Sequence, residues 1–323
     1  MALSHLPGKT LFGIYPAVEP YERGYLAVEG GHQVYWEACG NPAGRPALFL
    51  HGGPGGGCSP DHRRLFDPAY WRIILFDQRG CGRSRPKASI EHNTTAHLIA
   101  DIERLRLLHA VEQWLVLGGS WGSTLALAYA QAHPDRVSAL VLRGIFLARE
   151  REIDWLYRAG ASSLYPESWE RFRSFIAPDE RDDLVRAYHR RVTQGDPDLQ
   201  YAAAHAWCEW ERGIMTLLPA PAPMATDPVN ELALARLELH YFVHGSFMAK
   251  NQILDRIGQI ASIPAVIVQG RHDCVTPAVS AWDLHKAWTG SRLKMVEDAG
   301  HATNEPGILS ALIAATDAAR EQS

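Results

Sequence analysis

A serine flanked by glycines is the clearest chemical feature of the chain. The stretch "WLVLGGSWGSTLALAYA" (114–130) places the pattern G-x-S-x-G, from Gly118 to Gly122, between an apolar run typical of a buried strand and a helical pattern. Glycines at these two positions permit the sharp strand-to-helix turn that lifts a nucleophilic hydroxyl clear of a sheet. A glycine-rich turn in which Ser120 only caps the helix is the alternative, but the flanking patterns favour a nucleophile.

Two late residues could activate this serine, which needs a base to take its proton and a third group to orient that base. Asp273 and His301 each follow a late apolar run, and the order serine, aspartate, histidine is that of the α/β-hydrolase triad. We therefore predict that Ser120 is the nucleophile, that His301 is the general base and then the general acid, and that Asp273 orients it. Asp298, also near a strand end, is the weaker alternative for the acid.

A glycine-rich loop could supply the donors that stabilise an oxyanion. The stretch "LFLHGGPGGG" (48–57) follows the first buried run, so its backbone N–H groups can approach a substrate oxygen without obstruction by side chains. We predict that the N–H groups of Gly53 and of Trp121, the residue after the nucleophile, form the oxyanion hole. The pattern does not fit a phosphate-binding loop, because Cys58 stands where that motif requires lysine.

These residues must be carried by a sheet whose strand ends meet at one edge. Short apolar runs, most of them separated by helical patterns, predict an α/β fold with a doubly wound, mostly parallel sheet. In such sheets the chemistry collects on loops at the carboxyl ends of the strands. Alternation around Gly30 and Gly31 (24–38) predicts a hairpin at an antiparallel edge. The predicted buried strands are 47–50, 72–77, 114–118, 139–144, 265–270 and 293–298.

Between about Leu147 and Gln259 the pattern changes from strands to helices. This segment is rich in Trp, Tyr, Arg and Glu, and a proline-laden stretch (218–228) divides it because repeated proline cannot continue a helix. We predict a helical cap inserted into the sheet domain. The predicted division assigns 1–146 and 260–323 to the core and 147–259 to the cap.

Composition and charge narrow the class of partner. The 323-residue chain is 46% hydrophobic with a formal net charge of −4, and it shows no basic patch for nucleic acid. Without a secretory signal or a membrane-length apolar run, we expect a cytoplasmic protein with no membrane partner. Five cysteines without a C-x-x-C pair indicate reduced thiols. His240 and His244 have a metal-binding spacing but no acidic ligand nearby, so no metal is expected.

Several motifs together resemble one family. The stretches "HGGPGGG", "DQRGCGRS", "GGSWGSTLALAYA", "LRGIF" and "GRHDCVTP", with a late "GH", look like the prolyl (proline) iminopeptidases, serine peptidases of the α/β-hydrolase fold. The segments "WCEWERG" and "ARLELHYF" are similar to the cap of that family. The resemblance implies release of N-terminal proline from peptides with a free amine, without metal or cofactor. Two alternatives stay open: a hydrolase of esters or acylated amides, and a non-catalytic binding protein on the same scaffold.

Two glutamates are candidates for binding the amine of such a substrate. A peptide α-amino group has a pKa of about 7.7–8.0, so it is mostly charged at neutral pH and requires a carboxylate when buried. On a helix, Glu211 shares a face with Trp207 and Trp210, whereas Glu209 points elsewhere. Glu238 lies on an apolar helical stripe and needs a partner. The resemblance implies that Glu211 and Glu238 both bind the amine.

An internal salt bridge with Arg212 or Arg236 is the alternative for both carboxylates. If they bind the amine instead, Phe146 and Trp155 become candidates for the aromatic walls of a pocket for the flat, compact proline ring. Packing within the cap is the alternative for these two aromatic side chains. Peptides with a free N-terminal proline are the expected partners.

Overall fold

An eight-stranded, mostly parallel sheet organises the molecule. The computed structural model describes residues 13–219 and 227–320. The strands are β1 (Glu22–Ala27), β2 (Gln33–Gly40), β3 (Arg45–Leu50), β4 (Trp71–Phe76), β5 (Trp114–Gly119), β6 (Val137–Arg143), β7 (Ala265–Gly270) and β8 (Ser291–Val296). Their order is β1-β2-β4-β3-β5-β6-β7-β8. β2 pairs antiparallel with β1 and β4, and the other neighbours are parallel.

The predicted hairpin and the predicted buried strands are confirmed. β1 and β2 flank a tight turn in which Gly30 and Gly31 have φ angles of 76° and 74°, a backbone conformation that glycine adopts without strain. Strands β3 to β8 begin and end within about two residues of the predicted bounds, the precision expected when apolar runs are bounded by turn residues. The predicted doubly wound, mostly parallel sheet is therefore correct.

Helices connect the strands, as the alternating pattern predicts. The α-helices of the described residues are α1 (Pro60–Arg63), α2 (Thr95–Leu108), α3 (Trp121–Ala132), α4 (Glu150–Tyr157), α5 (Ala161–Leu164), α6 (Pro166–Ser174), α7 (Leu184–Gln194), α8 (Pro197–Ile214), α9 (Pro228–Val243), α10 (Gln252–Asp255), α11 (Ala278–Ala287) and α12 (Pro306–Ala318). Within the described ranges none is long and apolar enough to cross a membrane.

Helices pack on both faces of the sheet because successive strand residues point to opposite sides. On β3, Leu48 and Leu50 pack with residues of α2 and α3, whereas Ala47 and Phe49 pack on the other face with residues of α12. Burial on both faces explains why these strands are continuous apolar runs in the sequence. It also fixes the strand ends that carry the candidate site.

The chain between β6 and β7 contains helices α4 to α10. A cluster of buried side chains around Trp207 and Trp210 joins helices of this segment, so it has an apolar core of its own. Near its end, Ile253 packs with the core of the sheet. The division at residues 147 and 259 stays a prediction, and 220–226 of the proline-laden stretch lie outside the described residues.

Candidate active site

Ser120 lies at a strained turn between β5 and α3. Its backbone has φ 57° and ψ −128°, which non-glycine residues rarely adopt. Close contacts with neighbouring backbone atoms require glycine at both glycine positions of the motif. A Cβ on Gly118 would lie 2.1 Å from the carbonyl oxygen of Gly122, and a Cβ on Gly122 would lie 2.1 Å from that of Leu50. The turn therefore has the geometry of a nucleophile elbow.

Asp273 and His301 meet at the ends of β7 and β8. His301 Nδ1 lies 2.8 Å from Asp273 Oδ2, which also accepts hydrogen bonds from Thr276 Oγ1 at 2.9 Å and Gln269 Nε2 at 3.0 Å. Burial by itself raises the pKa of Asp273, but His301 and the hydrogen bonds from Thr276 lower it overall, so the carboxylate stays charged. Asp298, the alternative acid, is exposed.

Arg143, the last residue of β6, occupies the other side of the imidazole. Its Nη1 donates to His301 Nε2 and to the His301 carbonyl oxygen, each at 3.1 Å. Burial lowers the pKa of Arg143 to about 10, while Asp273 opposes that change. The hydroxyl of Ser120 makes no hydrogen bond to another described residue, although Ser120 and His301 line the same cavity. Sequence reasoning missed Arg143, whose only signal is its position at a strand end in "LRGIF".

The glycine-rich loop after β3 lies against this serine. A Cβ on Gly52 would come within 3.1 Å of Ser120 Cβ, and Gly53 has a φ of 110°. The Gly53 N–H has no acceptor among the described residues, and Trp121, as the first residue of α3, has no acceptor for its N–H within the helix. Both donors are thus available near Ser120, and their assignment to the oxyanion hole stays a prediction.

Side-chain hydrogen bonds join the loops that follow β3, β4 and β5. Gln78 donates its N–H to His51 Nε2 at 3.0 Å and its side-chain Nε2 to the His51 carbonyl oxygen at 3.0 Å. The indole of Trp121 donates to Gln78 Oε1 at 2.9 Å. Arg79 forms a buried ion pair with Asp101 at 2.6 Å, which anchors the turn after β4.

A cavity of about 520 Å³ separates these loops from the inserted helices. Ser120, His301 and Gly53 line it from the sheet domain, and Glu211 and Glu238 line it from α8 and α9. This volume lies in the range of small-molecule sites. The structure thus brings Ser120, His301, the glycine-rich loop and both carboxyl groups to one cavity, with Asp273 behind His301.

Each of the two carboxyl groups receives a neutral hydrogen-bond donor. Trp207 Nε1 donates to Glu238 Oε2 at 2.7 Å, and the hydroxyl of Tyr157 donates to Glu211. The Tyr157 ring stacks on Trp207, with centroids 4.3 Å apart. Sequence reasoning missed Tyr157, because nothing in the periodicity of α4 indicates which helix it faces.

The salt-bridge alternative for these carboxyl groups is wrong. Arg212 pairs with Glu209 at the surface and with Glu231 at 2.6 Å. Arg236 donates to oxygens of α7 and α8. In the described part of the chain, neither Glu211 nor Glu238 forms an ion pair.

The environment of the carboxyl groups disfavours their charged forms. Burial raises the pKa of Glu211 to about 7, partly offset by hydrogen bonds with Tyr157 and Glu238. Burial and the neighbouring Glu211 raise the pKa of Glu238 well above its usual value. In Glu238, 3% exposed, the protonated form is therefore favoured, while Glu211 is poised to ionise.

The two predicted aromatic walls have different positions. Phe146 lines the cavity and meets Phe242 edge-on at 6.0 Å. The structure does not place Trp155 in the wall: its indole donates to the Cys274 carbonyl oxygen at 2.9 Å. On α4 the cavity is lined by Glu152, Ile153 and Leu156, and Trp155 is not among its lining residues.

The predicted histidine pair is engaged in hydrogen bonds. Nε2 of His240 meets the carbonyl oxygen of Asn93 at 2.9 Å, and Nδ1 of His244 meets that of His240 at 2.8 Å. Cys58 lines the cavity, and burial raises the pKa of its thiol well above the usual value. Over the described ranges, one group of possible metal ligands converges within 4.8 Å outside the cavity: Glu29, His92 and His97.

Comparison with known proteins agrees with the fold and the motifs. A model of the alpha/beta hydrolase fold family matches residues 46–307. A proline iminopeptidase of Arabidopsis thaliana is 53% identical over 94% of this chain and 81% of its own, and one of Xylella fastidiosa is 50% identical over 94% and 98%. An esterase from Exiguobacterium antarcticum superposes with a TM-score of 0.62 at 19% identity, covering 92% of this chain and 98% of its own, which shows the fold alone. The chain belongs to the proline iminopeptidase family of α/β hydrolases.

Proposed function

We propose that the chain is a serine exopeptidase that releases proline from the free N-terminus of peptides. The observation that carries this proposal is a pair of carboxyl groups, Glu211 and Glu238, that shares a cavity with Ser120 and has no cationic partner among the described residues. Buried carboxylates are retained at a cost to stability unless a cation meets them. A substrate ammonium group is such a cation, and the names of the relatives agree.

Acylation uses the groups around the serine. Ser120 Oγ attacks the proline carbonyl carbon while His301 Nε2 takes its proton, and Asp273 stabilises the imidazolium. The N–H groups of Gly53 and Trp121 donate to the oxyanion. When the intermediate collapses, the C–N bond breaks and His301 gives the proton to the leaving nitrogen. The shortened peptide departs and proline stays as an ester on the serine.

Deacylation repeats these steps with water. His301 takes a proton from the water as its oxygen attacks the ester carbonyl carbon. Collapse of this second intermediate breaks the C–O bond, returns the proton to Ser120 and releases free proline. No metal or cofactor takes part in either half of the proposed reaction.

Arg143 sets the starting state of the base. Because its guanidinium donates to Nε2, His301 carries its proton on Nδ1, toward Asp273, which is the tautomer a general base requires. Nε2 must then exchange Arg143 for the hydroxyl of Ser120 when substrate binds. Catalytic hydrogen bonds often tighten only in the substrate complex.

Hydrolysis of a prolyl anilide and its N-acetyl counterpart separates this proposal from the ester and acyl-amide alternative. The proposal predicts a kcat/KM at least about 1,000-fold higher for the free amine, because acetylation removes the cation and leaves the carboxyl groups unpaired. Equal rates would favour the alternative. Amino-acid analysis of a Pro-Ala-Ala digest identifies free proline directly.

Labelling of Ser120 by a serine-directed phosphonate tests the alternative that the chain is a non-catalytic binding protein. We expect stoichiometric labelling of the native chain and none of the Ser120→Ala variant, which should bind substrate without turnover. An unlabelled native chain, or an active alanine variant, would overturn the mechanism.

A cytoplasmic location is also part of the proposal, with peptides and not nucleic acid as partners. The five cysteines form no disulfide, which agrees with a reducing compartment. The net charge of −4 offers no attraction to a polyanion. Fractionation of native cells should place the activity with the cytosolic proteins, and recovery with the membranes or secreted proteins would contradict it.

A further inference from the structure

A histidine outside the triad lies in the wall of the same cavity. His62, on the short helix α1, lines the cavity together with Cys58 and Ser59, in the segment that continues the glycine-rich loop. No step of the proposed mechanism uses its imidazole. Its surroundings nevertheless fix its orientation.

Local contacts determine which nitrogen of His62 carries the proton. The N–H of Ser59 donates to Nδ1 at 3.0 Å, and the ring stacks on Phe49 with centroids 4.3 Å apart. Burial, with His51 and Arg143, lowers the pKa of His62 to about 4, so the ring is neutral at pH 7. A neutral imidazole that accepts at Nδ1 carries its proton on Nε2. This Nε2–H has no acceptor among the described residues.

The position of His62 in the cavity indicates which part of the substrate it can reach. The carboxyl groups that hold the amine come from the cap helices α8 and α9, so the proline ring occupies that end of the cavity. The leaving nitrogen must lie by His301, which protonates it. Arg143 contacts His301 Nε2, and both residues line the cavity from the sheet domain, as His62 does. A second residue that extends from the leaving nitrogen, away from the amine site, therefore meets the sheet-domain wall to which His62 belongs.

We propose that Nε2–H of His62 donates a hydrogen bond to the carbonyl oxygen of the second residue of the substrate. The inference rests on the proposed exopeptidase function, because it takes the amine site as the other end of the cavity. Every substrate of two or more amino acids has this carbonyl group, and an aryl amide lacks it at that position. His62 is then a specificity-determining residue that favours peptides over other prolyl amides.

Two substitutions separate the proposed hydrogen bond to substrate from the structural contacts of His62 with Ser59 and Phe49. In His62→Asn the side-chain oxygen can replace Nδ1 as the acceptor for Ser59, but the donor at Nε2 is lost. In His62→Gln the amide nitrogen reaches approximately the position of Nε2. Both variants lose the stacking on Phe49, and they differ in the contact that is kept: Asn keeps the acceptor for Ser59, and Gln keeps the donor toward substrate.

The test compares Pro-Ala-NH₂ with prolyl 4-nitroanilide as substrates of the native enzyme and both variants. One neutral hydrogen bond predicts a five- to tenfold lower kcat/KM of His62→Asn for Pro-Ala-NH₂, with the anilide within about twofold of native and partial recovery in His62→Gln. Equal loss on both substrates, or no loss on either, would overturn the role of His62. If the native enzyme cleaves neither substrate, the proposed function itself fails.

Discussion

Two carboxyl groups in the cavity wall, the buried Glu238 and the half-buried Glu211, distinguish this cavity from that of a general hydrolase. Glu211 and Glu238 receive one neutral donor each, from Tyr157 and Trp207. Such donors offset only part of the loss of water around a charge. In the proposed function a substrate ammonium group supplies the remaining stabilisation, so the site would gain its charge balance when substrate binds.

Binding of an N-terminal amine should therefore depend on pH. Glu211, with its pKa raised to about 7, is protonated below that pH and cannot pair with an ammonium group. In the Ser120→Ala variant we expect the affinity for prolinamide to fall up to tenfold per pH unit between about pH 6.5 and 5, as calorimetry can measure. A Kd that stays constant from pH 5 to 8 would contradict this assignment, and Glu209→Gln in the same background should leave the profile unchanged.

Local spacing allowed some of these residues, but not others, to be predicted from sequence. The face of Glu211 follows from the helical repeat alone, and the triad follows from its position after strands. Tyr157 lies 54 residues from Glu211, and no periodicity reveals that contact. Trp155 is a candidate only by its aromatic ring, and its hydrogen bond to Cys274, 119 residues away, is not visible in the sequence of α4.

The elbow between β5 and α3 is the element that positions the nucleophile. Its backbone passes so close to neighbouring strands that side chains are excluded, as the 2.1 Å approach at Gly122 shows. The sequence predicts this element because strand, turn and helix are consecutive. The relation of the elbow to the cap helices depends on contacts between distant segments and had to come from the structure.

Gly122→Ala tests the elbow as an element. A Cβ at Gly122 must displace the backbone of Leu50, so we expect activity to fall at least about 100-fold and the Tm to decrease by several degrees. Gly258→Ala is the matched control, because nothing lies within 4 Å of its Cβ. Calorimetry and anilide hydrolysis check both variants. A fully active and stable Gly122→Ala protein would show that the close approach is not required.

At the scale of the whole molecule, the amine site should lower the stability of the fold above mildly acidic pH. The pKa of Glu238 is higher in the folded state than its value near 4.5 in the unfolded chain. Between these two pKa values the native protein holds one more proton than the unfolded chain, so its stability falls as the pH rises. Glu238→Gln keeps an acceptor for Trp207 without this cost. We expect its Tm to exceed that of the native protein by at least about 3 °C at pH 8, with little difference at pH 5. A lower Tm at both pH values would contradict this account.

We infer that Glu211 makes this serine hydrolase selective for a free N-terminal amine. The most direct measurement is the ratio of kcat/KM for prolyl anilide to that for its N-acetyl form, in the native enzyme, Glu211→Gln and Glu209→Gln. We predict a high ratio for the native enzyme and a ratio at least about 100-fold lower for Glu211→Gln. The ratio should stay high in Glu209→Gln, because Glu209 pairs with Arg212 at the surface. An unchanged ratio in Glu211→Gln, or the same loss in Glu209→Gln, would contradict the claim.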